Sequence, residues 1–338
     1  MRTMCCCCLC LVMVLLSWQP LMADEPPKLT TLSDSAIRFR VADKPYQVLK
    51  RAGITAVIVD NREANDAVLP GHKAGYCGVA SLTSETQPRN VFVPAYAGLN
   101  FEHIHDGTTQ DRNLLFEPRN VPMELRVIDE FTAELYQAAT PHWGLESCHR
   151  YRLLPDGALE MTFECIPRRA TFKNGYAGLF WASYMNQPES LDIHFRGFDE
   201  EADGKLSAIK WIRGITPAHG TLPTHFGQYD QRDFAHDQTF PLSLVFNRSK
   251  HRFAEPWYFG VNHSQAFVQM FRPQDQVRIT QSPSGGGSGN SAWDFQFFID
   301  KAELNRRSQF VMRAMLLPFE SAEQVERATR THRDALRP

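Results

Sequence analysis

Apolar and polar residues alternate in short runs along most of this chain, and Gly, Pro, Asn or Asp breaks nearly every run. TAVIVD (55–60), VFVPAY (91–96), MELRVIDEFTAELYQAA (123–139), LDIHFRGF (191–198) and PLSLVFN (241–247) are examples, followed by AFVQMFRP, QVRITQ and DFQFFID. A period of two sends successive side chains to opposite faces of a strand. Many such strands at close spacing, with few helical patterns between them, predict an all-β antiparallel sandwich. Pro155-Asp156-Gly157 separates HRYRLLPD from GALEMTFECIPR and predicts a hairpin there.

Two stretches depart from the pattern. SPSGGGSGN (282–290) reads as a flexible surface loop. In the tail, Ser321 with Gln324 three residues on forms a capping-box pattern and predicts a short C-terminal helix on the outside of the domain.

The first 23 residues have the anatomy of a secretory signal: Arg2, an apolar stretch from Cys5 to Leu16, and a small-residue cleavage site at Leu21-Met22-Ala23. That stretch is shorter than the roughly 20 residues of a membrane span. The chain is therefore expected to be exported, periplasmic or extracellular, with no stable membrane span after cleavage. Residues 24–44 read as an extension and 45–338 as one β-domain with its helix. About 315 residues remain after cleavage, enough for a large core.

Five of the eight cysteines lie in the leader, which leaves Cys77, Cys148 and Cys165. Three thiols are not a disulfide scaffold. Cys148 and Cys165 flank the expected hairpin and could pair across it, but three buried thiols is the favoured reading. The net charge of −2 and the lack of a basic stripe argue against a nucleic-acid partner. The 23 Phe and 6 Trp suit both a sandwich core and a sugar-stacking surface. Asn247-Arg248-Ser249 and Asn262-His263-Ser264 match the glycosylation acceptor pattern. The oligomeric state is left open.

GLNFEHIHDG (98–107) holds Glu102, His103, His105 and Asp106 within five positions. On a regular strand His103 and His105 share one face, with Glu102, Ile104 and Asp106 opposite. Two imidazoles on one face make half of a metal site, to which His194 or Glu117 could be recruited. They also suit acid–base chemistry near neutral pH. FWASYMNQPESLDIHFRG (180–197) adds Trp181, Tyr184 and Asn186, a mixture of flat apolar faces, phenols and amides that holds hydroxyl-rich ligands. His219 and His225 lie in a Pro/Gly-rich stretch. In SAWDFQFF (291–298), alternation puts Trp293, Phe295 and Phe297 on one face and Asp294, Gln296 and Phe298 on the other.

AGLNFEHIHDG, GLFWASYMNQPESLDIHFRG and SAWDFQFFI, with the leader and the all-β pattern, make the chain resemble the galactose mutarotase-like (aldose 1-epimerase-like) superfamily. It is most similar there to exported bacterial members whose substrates are unassigned. The resemblance covers roughly residues 45–320. It implies a large antiparallel β-supersandwich with a carbohydrate cleft on one concave sheet. It also implies an imidazole acid and a carboxylate base acting on a sugar, carried here by His103 or His105 and by Asp294. The epimerases use a late glutamate base, whereas the comparable stretch here offers only Asp294.

These readings give His103, His105 and Asp294 as candidate catalytic residues. Glu102, Trp181, Tyr184, Asn186, His219 and Gln296 are candidate substrate contacts, the partner is a carbohydrate or glycan, and no metal or other cofactor is expected. Catalysis, as an epimerase-like isomerase or another carbohydrate-active enzyme, and binding alone both stay open. The competing readings are a metal-dependent cupin-like enzyme built on the His103/His105 pair, and a non-catalytic envelope protein with both histidines buried and bonded to backbone.

Overall fold

A computed structural model of the protein describes residues 29–216, 223–240, 246–282 and 289–337. The expected leader, the first residues of the extension, His219, most of PLSLVFN and the middle of the glycine loop lie outside the described residues.

The alternating runs become strands. The first eight are β1 (Arg40–Val41), β2 (Tyr46–Arg51), β3 (Ile54–Val59), β4 (Gly78–Ser84), β5 (Asn100–His105), β6 (Glu124–Asp129), β7 (Thr132–Gln137) and β8 (Leu145–Leu153). Next come β9 (Leu159–Pro167), β10 (Ala177–Ala182), β11 (Tyr184–Met185), β12 (Ile193–Asp199), β13 (Lys210–Gly214) and β14 (Thr224–Gly227). The last six are β15 (Arg248–Phe253), β16 (Trp257–Asn262), β17 (Gln265–Phe271), β18 (Arg278–Ser282), β19 (Ser291–Ile299) and β20 (Ser308–Pro318).

β2, β3 and β4 form a small sheet of their own, and the other strands form one large sheet. That large sheet is built on two runs, to which β1, β11 and β13 are attached. In the first, β6, β7, β8, β9, β20, β17, β16 and β12 pair in turn. In the second, β5, β10, β19, β18, β14, β15 and β12 do the same. Because both runs end on β12, the sheet doubles back into two layers. The expected all-β supersandwich is present. Among the described residues its pairings are antiparallel except between β14 and β15. The long connection from β14 to β15 permits that exception, since parallel neighbours need a crossover of a dozen or more residues.

Between the layers lies one large apolar core. Tyr151, Met161, Phe163, Phe310 and Met312 come from the first run, and Phe101, Ile104, Leu179, Trp181 and Phe295 from the second. Each fully buried side chain of this size stabilises the fold by about 1.5–3 kcal/mol. Pro155-Asp156-Gly157 turns the β8–β9 hairpin as expected, with Gly157 at φ +87°. Cys77, Cys148 and Cys165 are free and buried. The Cys148–Cys165 bridge is ruled out by pleating. Cys148 sits opposite Glu164 and touches Glu134, while Cys165 sits opposite Ser147 and points into the core.

At the N-terminus, residues 29–33 are tied to two glutamates of zero exposure. Glu164 accepts from Thr30 N (3.0 Å), Thr30 Oγ1 (2.6 Å) and Ser33 Oγ (2.6 Å), and Glu134 accepts from Thr31 N at 3.2 Å and from Thr31 Oγ1. At the C-terminus, Ser321 caps its helix by accepting from Gln324 N at 3.2 Å. The expected single helix is two short ones, Ala322–Ala328 and Arg330–Ala335, divided at Thr329. Asn262 cannot serve as a glycosylation acceptor in the folded chain, because it is fully buried and donates to Val91 O at 3.1 Å.

Candidate functional site

The site is built on β5, β10, β11 and β19, on the face turned away from the core. Along β19, Trp293, Phe295 and Phe297 enter the core, so Asp294, Gln296 and Phe298 emerge opposite, as alternation predicts. Along β10, Leu179 and Trp181 enter the core, and Gly178, Phe180 and Ala182 emerge.

β5 departs from strict alternation. It pairs Phe101 with Trp181 and His103 with Phe180, and the register shifts between them, leaving Glu102 as the extra residue of a β-bulge. Phe101 and Ile104 both face the core. Glu102, His103 and His105 therefore all face the other side. The expectation that Glu102 would oppose the histidines is corrected by this single unpaired residue.

Two short helices, Arg112–Leu115 and Glu117–Asn120, lie over this face. Asp111 caps the first by accepting from Asn113 N. Phe116 between them packs edge-on against His103, with ring centroids 4.1 Å apart. Phe240 and Phe246 lie 5.0 and 5.9 Å from the His105 ring. Gly178, paired with His105, provides the space for that ring, because a Cβ there would come within 2.2 Å of its Cε1. The imidazoles are thus roofed by aromatic rings, and the open cleft expected along this stretch is covered at that end.

Glu102 is held by two donors. Arg119 Nη1 approaches its Oε1 at 3.0 Å, and the Tyr184 hydroxyl donates to the same oxygen. Arg119 also donates to Gly75 O at 2.7 Å and stacks on Tyr76 at 4.1 Å. Trp181 pairs with Phe295 and Tyr184 with Ala292, which sets Asp294 beside Ala182 and Ser183. Asp294 accepts from Ser183 N at 3.2 Å. β10 runs between the strands that carry the two carboxyl groups, and Ala182 emerges there on the same face.

Burial dominates the electrostatics. Asp294 is pushed well above the usual carboxylate range, first by desolvation and then by the charge of Glu102. Glu102 is also raised by burial, with Arg119 and Tyr184 holding it back. His103 is driven well below the ordinary imidazole value by burial, then by His105 and two arginines. Burial takes His105 to about 3. Both histidines are therefore neutral near pH 7. Among the described residues none of their four ring nitrogens has a hydrogen-bond partner, and neither end of the Gln296 amide does.

The structure brings together Glu102, His103, His105, Tyr184, Asp294 and Gln296. Trp181 is excluded. It lies on the core side of β10 between Phe101 and Phe295, at centroid distances of 4.8 and 5.2 Å. Asn186 is engaged in the rim, where its amide donates to Asn90 O at 3.2 Å. His225 is buried at the sandwich edge and bonded to Gln281 at 3.1 Å. Arg119, absent from the sequence-based set, completes the cluster through Glu102, and Tyr76 and Tyr96 lie outside it against the Tyr184 ring; their contacts cross loops and leave no periodic signal.

Among the described residues no group of three or more His, Cys, Asp or Glu side chains is arranged to hold a metal ion. Glu117 accepts from His142 N and Trp143 N, and His194 stacks on Phe259. Neither of these suggested ligands joins the histidine pair. The histidines are buried, as the envelope-protein reading requires, but are not bonded to backbone.

No family model and no curated protein matches the chain. Among solved structures it is similar to the Slr1438 protein of Synechocystis sp. PCC 6803, at 11% identity and a TM-score of 0.46 over 84% of this chain and 99% of that one. A galactose mutarotase-like protein of Lactobacillus casei ATCC 334 gives 9% identity and 0.39 over 80% and 99%. The α-N-acetylgalactosaminidase NagBb of Bifidobacterium bifidum gives 9% and 0.47 over 86% of this chain and 39% of the other. With likeness this distant, what the site can do is read from its own side chains.

Proposed function

We propose that the protein binds carbohydrate on the β5–β10–β19 face and exchanges protons with the bound sugar. The observation that carries this reading is the convergence of unpartnered buried groups, the His103 and His105 nitrogens and the Gln296 amide, on the face that holds Glu102 and Asp294. Buried polar atoms are nearly always hydrogen-bonded. A ligand rich in hydroxyl groups, each able to donate and accept, satisfies such a set.

In this reading the proton roles are the reverse of those the resemblance implies. Asp294, raised by burial, carries the proton, and a neutral imidazole accepts one. For a reducing sugar, an imidazole nitrogen takes the anomeric hydroxyl proton. The bond from C1 to the ring oxygen breaks, and Asp294 protonates that oxygen. Rotation and reclosure with the reverse transfers give the other anomer. Tyr184 and Arg119 hold Glu102 in position beside the sugar. The exported setting expected from the leader is part of the proposal, and N-terminal sequencing of secreted chain tests it.

The site is tested by two-dimensional exchange NMR on glucose and galactose, with calorimetric binding in parallel. The reading expects anomer exchange or saturable binding that falls at least tenfold in Asp294→Asn and in His103→Gln. Wild-type behaviour indistinguishable from both variants overturns it.

A further inference from the structure

Three tyrosines from separate parts of the chain meet where the covered face reaches solvent. Tyr76 and Tyr96 have ring centroids 4.5 Å apart. Tyr184 lies 5.7 Å from Tyr76 and 5.1 Å from Tyr96. All three residues are partly exposed, whereas Glu102, His103, His105 and Asp294 are buried. Tyr184 belongs to both groups, since its hydroxyl is bound to Glu102 while its ring joins the aromatic cluster.

The cluster is held in place. Arg119 lies flat on Tyr76 and grips Gly75 O and Glu102. Gly75 has φ +84°, a conformation that glycine adopts freely. Tyr96 N donates to Val93 O at 2.9 Å, closing the turn that presents its ring. Both rings thus stand beside Tyr184, whose hydroxyl reaches the buried Glu102.

We infer that Tyr76 and Tyr96 form a second sugar subsite, so that the protein takes the reducing end of an oligosaccharide in preference to a free monosaccharide. This inference rests on the carbohydrate reading above. Its support is continuity: a sugar whose reducing ring lies between Glu102 and Asp294 must leave past Tyr184, and there it meets tyrosine faces. Aromatic faces pack against the C–H surface of a sugar, and phenol hydroxyls reach its oxygens. Tyr96 is the informative residue, because among the described residues its hydroxyl holds no hydrogen bond.

Titration calorimetry with glucose, galactose, maltotriose and cellotriose tests the inference on the wild type, Tyr96→Ala, Tyr96→Phe and Asp294→Asn. We expect at least one trisaccharide to bind tenfold or more tightly than either monosaccharide. Tyr96→Ala should abolish that difference with monosaccharide binding unchanged, Tyr96→Phe should keep most of it, and Asp294→Asn should weaken both ligand classes. Thermal melting checks that each variant is folded. Equal binding of mono- and trisaccharides, or a preference that survives Tyr96→Ala, overturns the subsite and leaves the carbohydrate reading standing. No binding of any of the four sugars overturns both.

Discussion

Arg119 and Glu102 form an ion pair, 3.0 Å from Nη1 to Oε1, in which the carboxylate side chain is buried and the arginine side chain is 19% exposed. The pair links a short helix to the bulge of β5, so it joins the roof of the site to its floor. Removing one partner of a buried pair leaves an uncompensated charge and costs roughly 3–5 kcal/mol. Arg119→Met is therefore expected to destabilise the fold by about that amount and to push Glu102 further up. The Arg119→Met/Glu102→Gln double variant should recover part of the loss. Urea denaturation of the four proteins in this cycle measures the coupling.

Gly178 sits directly beneath the His105 ring. Gly178→Ala should force the imidazole out of place and cost about 1–3 kcal/mol through overpacking. Combining it with His105→Ala should relieve most of that cost. A double variant no more stable than Gly178→Ala would show that the clash lies elsewhere, and thermal melting decides between the two.

The buried histidines predict acid sensitivity. His105 and His149 are held at about 3 and His225 at about 4, in each case chiefly by burial. The unfolded chain takes up these protons near pH 6.5, while the folded chain does not. Their stabilising contribution is therefore complete above about pH 6.5 and is lost as the pH falls toward 3 to 4. Each fully engaged histidine contributes a slope of about 1.4 kcal/mol per pH unit. Asp294 and Glu102, raised by burial, act in the opposite sense, and their contribution is lost as pH rises through their elevated values. Urea midpoints from pH 7 to 4 should fall, and His149→Leu should make the decline shallower by one histidine.

The β-sandwich was legible because strand alternation needs only local pattern. Asp294 and Gln296 could be placed on the face opposite Phe295 from spacing alone. Glu102 could not, because a bulge depends on the pairing of β5 with β10 rather than on the composition of β5. Arg119, Tyr76 and Tyr96 escaped for a related reason: loops and short helices carry them, where no repeat reports direction. Trp181 was named as a contact from its residue type, yet the parity of β10 sends it into the core. The covered state of the histidines depends on Phe116, Phe240 and Phe246, which are remote from them in sequence.

Residues 29–33 should contribute to stability out of proportion to their number. Thr30 alone supplies two donors to the buried carboxylate of Glu164. Thr30→Ala removes the hydroxyl donor and should cost about 1–3 kcal/mol, since Glu164 stays buried with one fewer partner. Paired with Glu164→Gln in guanidinium denaturation, the two changes should be clearly non-additive.

The thiols provide a simple test of burial. Cys77, Cys148 and Cys165 should not react with a disulfide reagent such as DTNB in the native chain. All three should react once denaturant is added. Burial pushes the Cys77 thiol up to about 12, so in the folded chain it stays protonated at neutral pH and is a poor nucleophile.

The unpaired residue in β5 acts as a change of phase. Upstream of it, odd positions such as Phe101 face the interior; downstream, even positions such as Ile104 do. Deleting Glu102 would return the strand to plain alternation, with Phe101 and Ile104 still inward and His103 and His105 still on the ligand face, and only the carboxyl group would be lost. A single backbone insertion thus lets one short strand serve the core at both ends while presenting three ionisable side chains to the same space.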